Sequence, residues 1–84
     1  MRKKVITPEY IISVVAEHYG VTPADLSGNK RNSKIVMPRQ VSMYLCREII
    51  STPLKNIGKA LGNRDHTTVM HGIEKIENEL QKRR

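Results

Sequence analysis

The sequence predicts a small all-α domain containing a helix-turn-helix, on three observations. No segment shows the period-two alternation of a half-buried strand, whereas several show apolar residues at helical spacing. Thr-Pro pairs at positions 7–8, 22–23 and 52–53 read as helix starts, because Thr can cap free N–H groups and Pro suits the first helical position. The last two apolar-periodic segments, about eight and sixteen residues long, are joined by a glycine-containing turn of about three, the proportions of a helix-turn-helix over about residues 53–81.

Taken in order, Thr7-Pro8 opens a helix to about residue 19, with Ile11, Ile12, Val15, His18 and Tyr19 on one side and Gly20 placed to end it. Thr22-Pro23 opens a short helix over residues 23–27, with Asp25 as capping-box partner. Gly28-Asn29-Lys30-Arg31-Asn32-Ser33-Lys34 is polar, glycine-bearing and basic, hence a loop. A third helix is expected over about residues 38–50, packing through Val41, Leu45 and Ile49 with Ser42 and Cys46 beside them, and turning Arg39, Gln40 and Arg47 outward. Met37, Met43 and Met70 read as packing residues, the last two nearer the surface. Thr52-Pro53 opens a fourth helix to residue 61, with Leu54, Ile57, Ala60 and Leu61 inward, and Gly62-Asn63 breaks it with residues that tolerate positive φ. The last helix runs over about residues 65–81. Its buried stripe is Val69, Ile73, Ile76 and Leu80, with Thr67, His71 and Lys75 on the opposite side.

Composition bounds the function. A chain of 84 residues with 38% hydrophobic content fills one core and has little room for a deep substrate pocket, which favours a single binding domain over an enzyme. The formal charge is +7. Between Lys30 and Arg64 there are eight basic residues and one acid, Glu48, so the entire excess lies in this central stretch while both flanks balance. Such a concentration points to a polyanion, nucleic acid or an anionic membrane face. The lone Cys46 suits a reducing compartment, and the expected location is the cytoplasm, in association with the nucleoid. No apolar run approaches the roughly 20 residues of a membrane span.

Catalytic and metal readings find no support. His66 and His71 are five apart, about 140° around a helix, and diverge instead of converging on one ion. Gly58-Lys59-Ala60 lacks both the upstream glycine and the hydroxyl residue of a phosphate-binding loop. Cys46 lies among core positions and reads as a small buried hydrophobe.

Base-reading chemistry is different. The last helix begins Arg64-Asp65-His66-Thr67-Thr68, short polar side chains of the kind that fit the major groove. Asp65 can accept from a cytosine amino group, His66 and Thr67 can donate or accept, and Thr68 offers a methyl for thymine. The same pattern also suits a plain helix start, with Asp65 as cap. Arg31 in the basic loop can enter a narrow A/T-rich minor groove, the alternative being an unstructured surface loop. Candidate contacts to phosphates are Lys34, Arg39, Gln40, Arg47, Lys55, Arg64 and the backbone at Leu54. Six contacts that each neutralise a phosphate would give a salt slope of about −5.

The segment Gly62-Asn63-Arg64-Asp65-His66-Thr67-Thr68-Val69-Met70-His71 closely resembles the signature of the carboxy-terminal DNA-binding domain of the bacterial replication initiators of the DnaA family. Asp25-Leu26, Lys30-Arg31, Pro38-Arg39-Gln40, Tyr44-Leu45, Arg47-Glu48, Leu54 and Ile57-Gly58 follow in the family's order, so the resemblance covers about residues 8–80. It implies a TrpR/DnaA-like fold and binding to DnaA boxes, repeats of the TTATNCACA type, in double-stranded DNA at a replication origin. It further implies Arg31 as minor-groove reader, Asp65, His66, Thr67 and Thr68 as major-groove readers, and Arg39, Gln40, Arg47, Leu54, Lys55 and His71 at backbone-contacting positions. Leu61 and Asn63 stand where the family usually has Phe and Gly, Gly72 where Ala is common, and Lys55 where Pro is frequent. Proteins of this kind carry an ATPase domain upstream, so ATP belongs to that domain and no cofactor is expected for these residues. Residues 1–6 then read as a junction, and the domain as a monomer on its own. The alternatives are a stand-alone helix-turn-helix regulator, sequence-blind binding of RNA or DNA by charge, or a basic module that binds an acidic protein.

Overall fold

The computed structural model describes residues 6–82, and most of the expected junction at residues 1–6 lies outside that range. Five helices follow one another: α1 (Pro8–Tyr19), α2 (Pro23–Ser27), α3 (Ser33–Ile50), α4 (Leu54–Ala60) and α5 (His66–Lys82), with no strand among the described residues. The all-α class and the helix-turn-helix of α4 and α5 are as the sequence predicts.

Local signals set the first two helices. Thr7 Oγ1 accepts the Tyr10 N–H at 3.1 Å, and Gly20, at φ 72°, closes α1 by donating to the carbonyls of Ala16 and Glu17. Thr22 and Asp25 form the full capping box, 3.0 and 3.2 Å, that starts α2. The third Thr-Pro pair behaves differently. Ser51 takes φ 50° at the end of α3, and the buried Thr52 donates its N–H to the Cys46 carbonyl at 3.2 Å, so Pro53 caps α4 without side-chain help.

The long α3 starts five residues before the expected position. Asn32 is its N-cap, its carbonyl accepting from Ile35 and Val36 at 3.0 and 2.9 Å, and Pro38 therefore lies inside the second turn. Proline there removes one helical hydrogen bond. Burial of Ile35 and Pro38 against the core offsets that loss, a tertiary effect that local pattern does not carry. The earlier start also moves Lys34 from the loop onto the first turn of α3.

The core gathers Ile11, Ile12, Val15 and Ala16 of α1, Leu26 of α2, Ile35, Met43 and Cys46 of α3, Ile57 of α4, Leu61 beyond it, and Val69 and Ile73 of α5. The α3 stripe is rotated from the expected one: Met43 is buried, Val41 and Leu45 are only half-buried, and Ile49 is 54% exposed. His18 and Tyr19 on α1, Met37 on α3 and Leu80 near the end of α5 are also exposed, contrary to expectation, Tyr19 and Met37 lining an open depression between the end of α1 and the start of α3. Gly72 packs so close to α3 that a Cβ would stand 2.5 Å from Met43 Sδ. Leu61, just beyond α4, is fully buried.

Candidate nucleic-acid interface

The turn between α4 and α5 is built on two glycines. The Gly58 carbonyl accepts the Arg64 N–H at 2.9 Å, and a Cβ on Gly58 would lie 2.0 Å from the Arg64 carbonyl oxygen. Gly62 has φ +83° and presses its Cα against the α2 end, where a Cβ would meet the Ser27 carbonyl oxygen at 2.1 Å. Asn63 follows at φ 60°, a conformation Asn adopts more readily than most non-glycine residues.

This turn brings two shallow depressions together. One is lined by Leu54, Lys55, Lys59, Asn63, Arg64, Asp65 and His66. The other is lined by Asn29, Arg31, Arg39, Gly62, Asn63, Arg64 and Thr68. They share Asn63 and Arg64, so the loop, the turn, the start of α4 and the first turn of α5 form one continuous face. Arg31, Lys55, Asp65, His66 and Thr68 are exposed on it, and Thr67 beside them is half-buried. The Asp65 carboxylate sits 3.3 Å from His66 Nδ1, both side chains about two-thirds exposed (66% and 67%). The Asp65 carbonyl, which accepts the Val69 N–H at 3.1 Å, begins α5. Thr68 and His71, at i and i+3, lie along one side of α5.

Other sequence-predicted residues sit differently. Arg39 is buried, at 7% exposure, and does not belong to an outward basic face. Its position continues the α3 stripe of Ile35, Met43 and Cys46, which becomes visible only once the helix starts at Ser33. Burial is made tolerable by carbonyls: Nε donates to Leu26 O at 2.8 Å, and Nη2 to Lys30, Gly28 and Asp25 O at 2.9, 3.2 and 3.4 Å. Desolvation lowers its pKa, and the nearby Arg64 charge adds to that. Arg64 is half-buried, donating Nη1 to Leu61 O and Nη2 to Gly28 O, and desolvation lowers its pKa too.

Gln40 is half-buried, with Oε1 buried and lacking a hydrogen-bond partner. The exposed Arg47 ties the end of α3 to the following link through Nη1 and Thr52 O at 3.1 Å. Lys34 lies apart, in a depression formed with Tyr19, Gly20, Val21, Ser33, Met37 and Pro38. Lys30 is held by Asp25 at 2.9 Å, a contact that, with the Thr22 N–H, keeps the Asp25 carboxyl below its ordinary value. Four residues lining the face were not among the expected contacts: Asn29, Gly62, Asn63 and Lys59. The available signal for Lys59 was its i+4 spacing from Lys55, which places both on one side of α4. Among the described residues no three metal-ligating side chains converge, and no helix is long and apolar enough to cross a membrane.

Comparison with known proteins bears on this face. Residues 8–76 match the family model described as the bacterial dnaA protein helix-turn-helix. The chain is 60% identical over 75 residues to the chromosomal replication initiator protein DnaA of Oenococcus oeni, covering 89% of this chain and 17% of that protein. The corresponding protein of Lachnoclostridium phytofermentans is 45% identical over 80 residues, covering 95% of this chain and 18% of its own length. Among solved structures, AMPPCP-bound DnaA from Aquifex aeolicus superimposes with a TM-score of 0.75 at 36% identity, over 88% of this chain and 22% of that one. The chain thus spans about a sixth of the length of the relatives it matches.

Proposed function

The chain belongs to the bacterial DnaA helix-turn-helix family, and on that premise we propose that it binds double-stranded DNA sequence-specifically at DnaA boxes of a replication origin, in the service of replication initiation. The observation that carries this reading is the single face on which the two depressions meet at Asn63 and Arg64. The first turn of α5 enters the major groove, where Asp65, His66 and Thr67 hydrogen-bond base edges and the Thr68 methyl meets thymine. Arg31, projecting from the loop on the same face, enters the neighbouring minor groove, where an A·T-rich stretch is narrow and strongly negative. Lys55, Lys59 and Arg47, with the amide of Gln40, His71 and the Leu54 N–H, face the phosphates. Arg64 adds charge at the junction of the two groove contacts. The whole initiator's assembly and use of ATP reside in regions beyond the matched segment.

An experiment separates the two groove contacts. Inosine is guanine without its 2-amino group, so an I·C pair shows the major groove of G·C and a minor groove like that of A·T. Replacing A·T pairs at the minor-groove end of a DnaA-box duplex by I·C should leave affinity nearly unchanged, and replacement by G·C should lower it. Equal losses with I·C and G·C would contradict minor-groove reading by Arg31.

A further inference from the structure

We propose that Arg39 and Arg64 are positioning residues: their guanidiniums converge on the Gly28 carbonyl and hold the loop so that Arg31 stands at a fixed distance from the first turn of α5. The inference rests on the reading just given and assigns a role to two cations that the sequence alone reads as phosphate contacts.

The geometry is specific. Arg39 reaches from α3 to four carbonyls spread over Asp25 to Lys30, at 2.8–3.4 Å. Arg64, from the turn before α5, reaches the same Gly28 carbonyl, 36 residues away in sequence. Gly62 lets the turn touch the Ser27 backbone, and Ser27 Oγ donates to the Ala60 carbonyl at 3.5 Å, so loop and turn dock on each other. Carbonyls are the partners of both guanidiniums, and neither has a carboxylate within ion-pair distance among the described residues. The pinned stretch ends at Lys30, whose carbonyl Arg39 holds at 2.9 Å. Asn32, two residues on, offers its carbonyl to the first N–H groups of α3. Arg31 is the one residue between these anchors, its backbone fixed on both sides and its side chain exposed. An arm ordered before it meets DNA loses less freedom on binding, and keeps one register relative to the recognition helix. Lysine cannot replace either residue, since a single ammonium lacks the planar fork that spans several carbonyls.

The test compares wild type, Arg39→Lys, Arg31→Ala and the double variant for their preference for I·C over G·C at the minor-groove end. Arg39→Lys retains the charge, so its affinity for a scrambled duplex and its salt slope should stay as in wild type. Its preference should fall about as far as that of Arg31→Ala, roughly tenfold, and the double variant should be no worse than Arg31→Ala alone. Equal loss on box and scrambled duplexes, or additive effects in the double variant, would overturn positioning in favour of a direct phosphate contact. A preference unchanged in Arg39→Lys would overturn it as well. Backbone 15N relaxation order parameters of Arg31 and Asn32 in the free chain supply an independent readout, with Arg64→Lys as the second variant should Arg39→Lys fail to fold. Lower order parameters in the variant support positioning, and unchanged ones reject it. If Arg31→Ala alone leaves the preference intact, the minor-groove reading fails while the relaxation result still decides whether the arm is held.

Discussion

His66 is the side chain on which base reading is most directly tested, because it is exposed on the first turn of α5 and beside the depression that joins α4 to the turn. His66→Ala should weaken binding to a box duplex by about 1–3 kcal/mol and leave scrambled-duplex affinity nearly unchanged, as fluorescence anisotropy would measure. Arg47→Ala should weaken both alike, since phosphate contacts carry no sequence information. Cys46 offers a test of the core that is independent of DNA. Burial, helped by the Glu9 charge, pushes its thiol up to about 11, above the ordinary thiol range. The protonated form is therefore favoured by folding. This contribution to stability is complete below the pKa of the unfolded thiol and is lost as pH rises from there toward 11. At pH 8.5 iodoacetamide should alkylate the native chain about a hundredfold more slowly than the chain in denaturant, followed by mass spectrometry. Comparable rates would mean an open core around α3. The residue scale is also where sequence reading was weakest. The placement of Asp65 to Thr68 at an accessible helix start was legible because short polar side chains in that setting are visible in the string itself. Arg39 was not, because the carbonyls that bury it lie 9–14 residues upstream and become its neighbours only when α2 folds against α3.

At the scale of elements, helix starts were legible where one residue suffices and hidden where packing decides. Thr7 and Thr22 cap as their side chains allow, whereas Thr52 is spent on ending α3, and Asn32 opens that helix without a side-chain bond. Pro38 looked like a helix start and is a helix interior, tolerated because its ring and Ile35 fill the core. The turn between α4 and α5 has the tightest tolerances in the fold. Gly62→Ala places a Cβ at φ +83° and 2.1 Å from a backbone oxygen of α2. We expect a loss of at least about 1–3 kcal/mol in a denaturant titration, together with weaker box binding, because the same displacement separates Arg31 from Thr68. Wild-type stability in Gly62→Ala would show that the turn does not dock on the loop.

For the whole molecule, the excess positive charge of residues 30–64 divides in three. Arg39 and Arg64 bind carbonyls, Lys30 is paired with Asp25, and Arg31, Lys34, Arg47, Lys55 and Lys59 stay exposed. Arg39 leaves the set of phosphate contacts and Lys59 enters it. On the proposed reading the set is then Arg47, Lys55, Lys59 and Arg64, since Lys34 lies apart and Arg31 serves the minor groove, so the salt slope should be about −4, at roughly −0.9 per neutralised phosphate. A slope nearer −2 would show that much of this charge faces solvent away from DNA. On the proposed reading, affinity and specificity come from different parts of one face, the cations of α4 and the end of α3 on one hand and Arg31 with the first turn of α5 on the other.

That division is tested most directly by the ratio of affinities for a DnaA-box duplex and a scrambled duplex of the same length, measured across a salt series. Specific reading predicts a ratio well above tenfold that persists as both affinities fall with salt. Equal affinities at every salt concentration would contradict it and leave binding by charge alone.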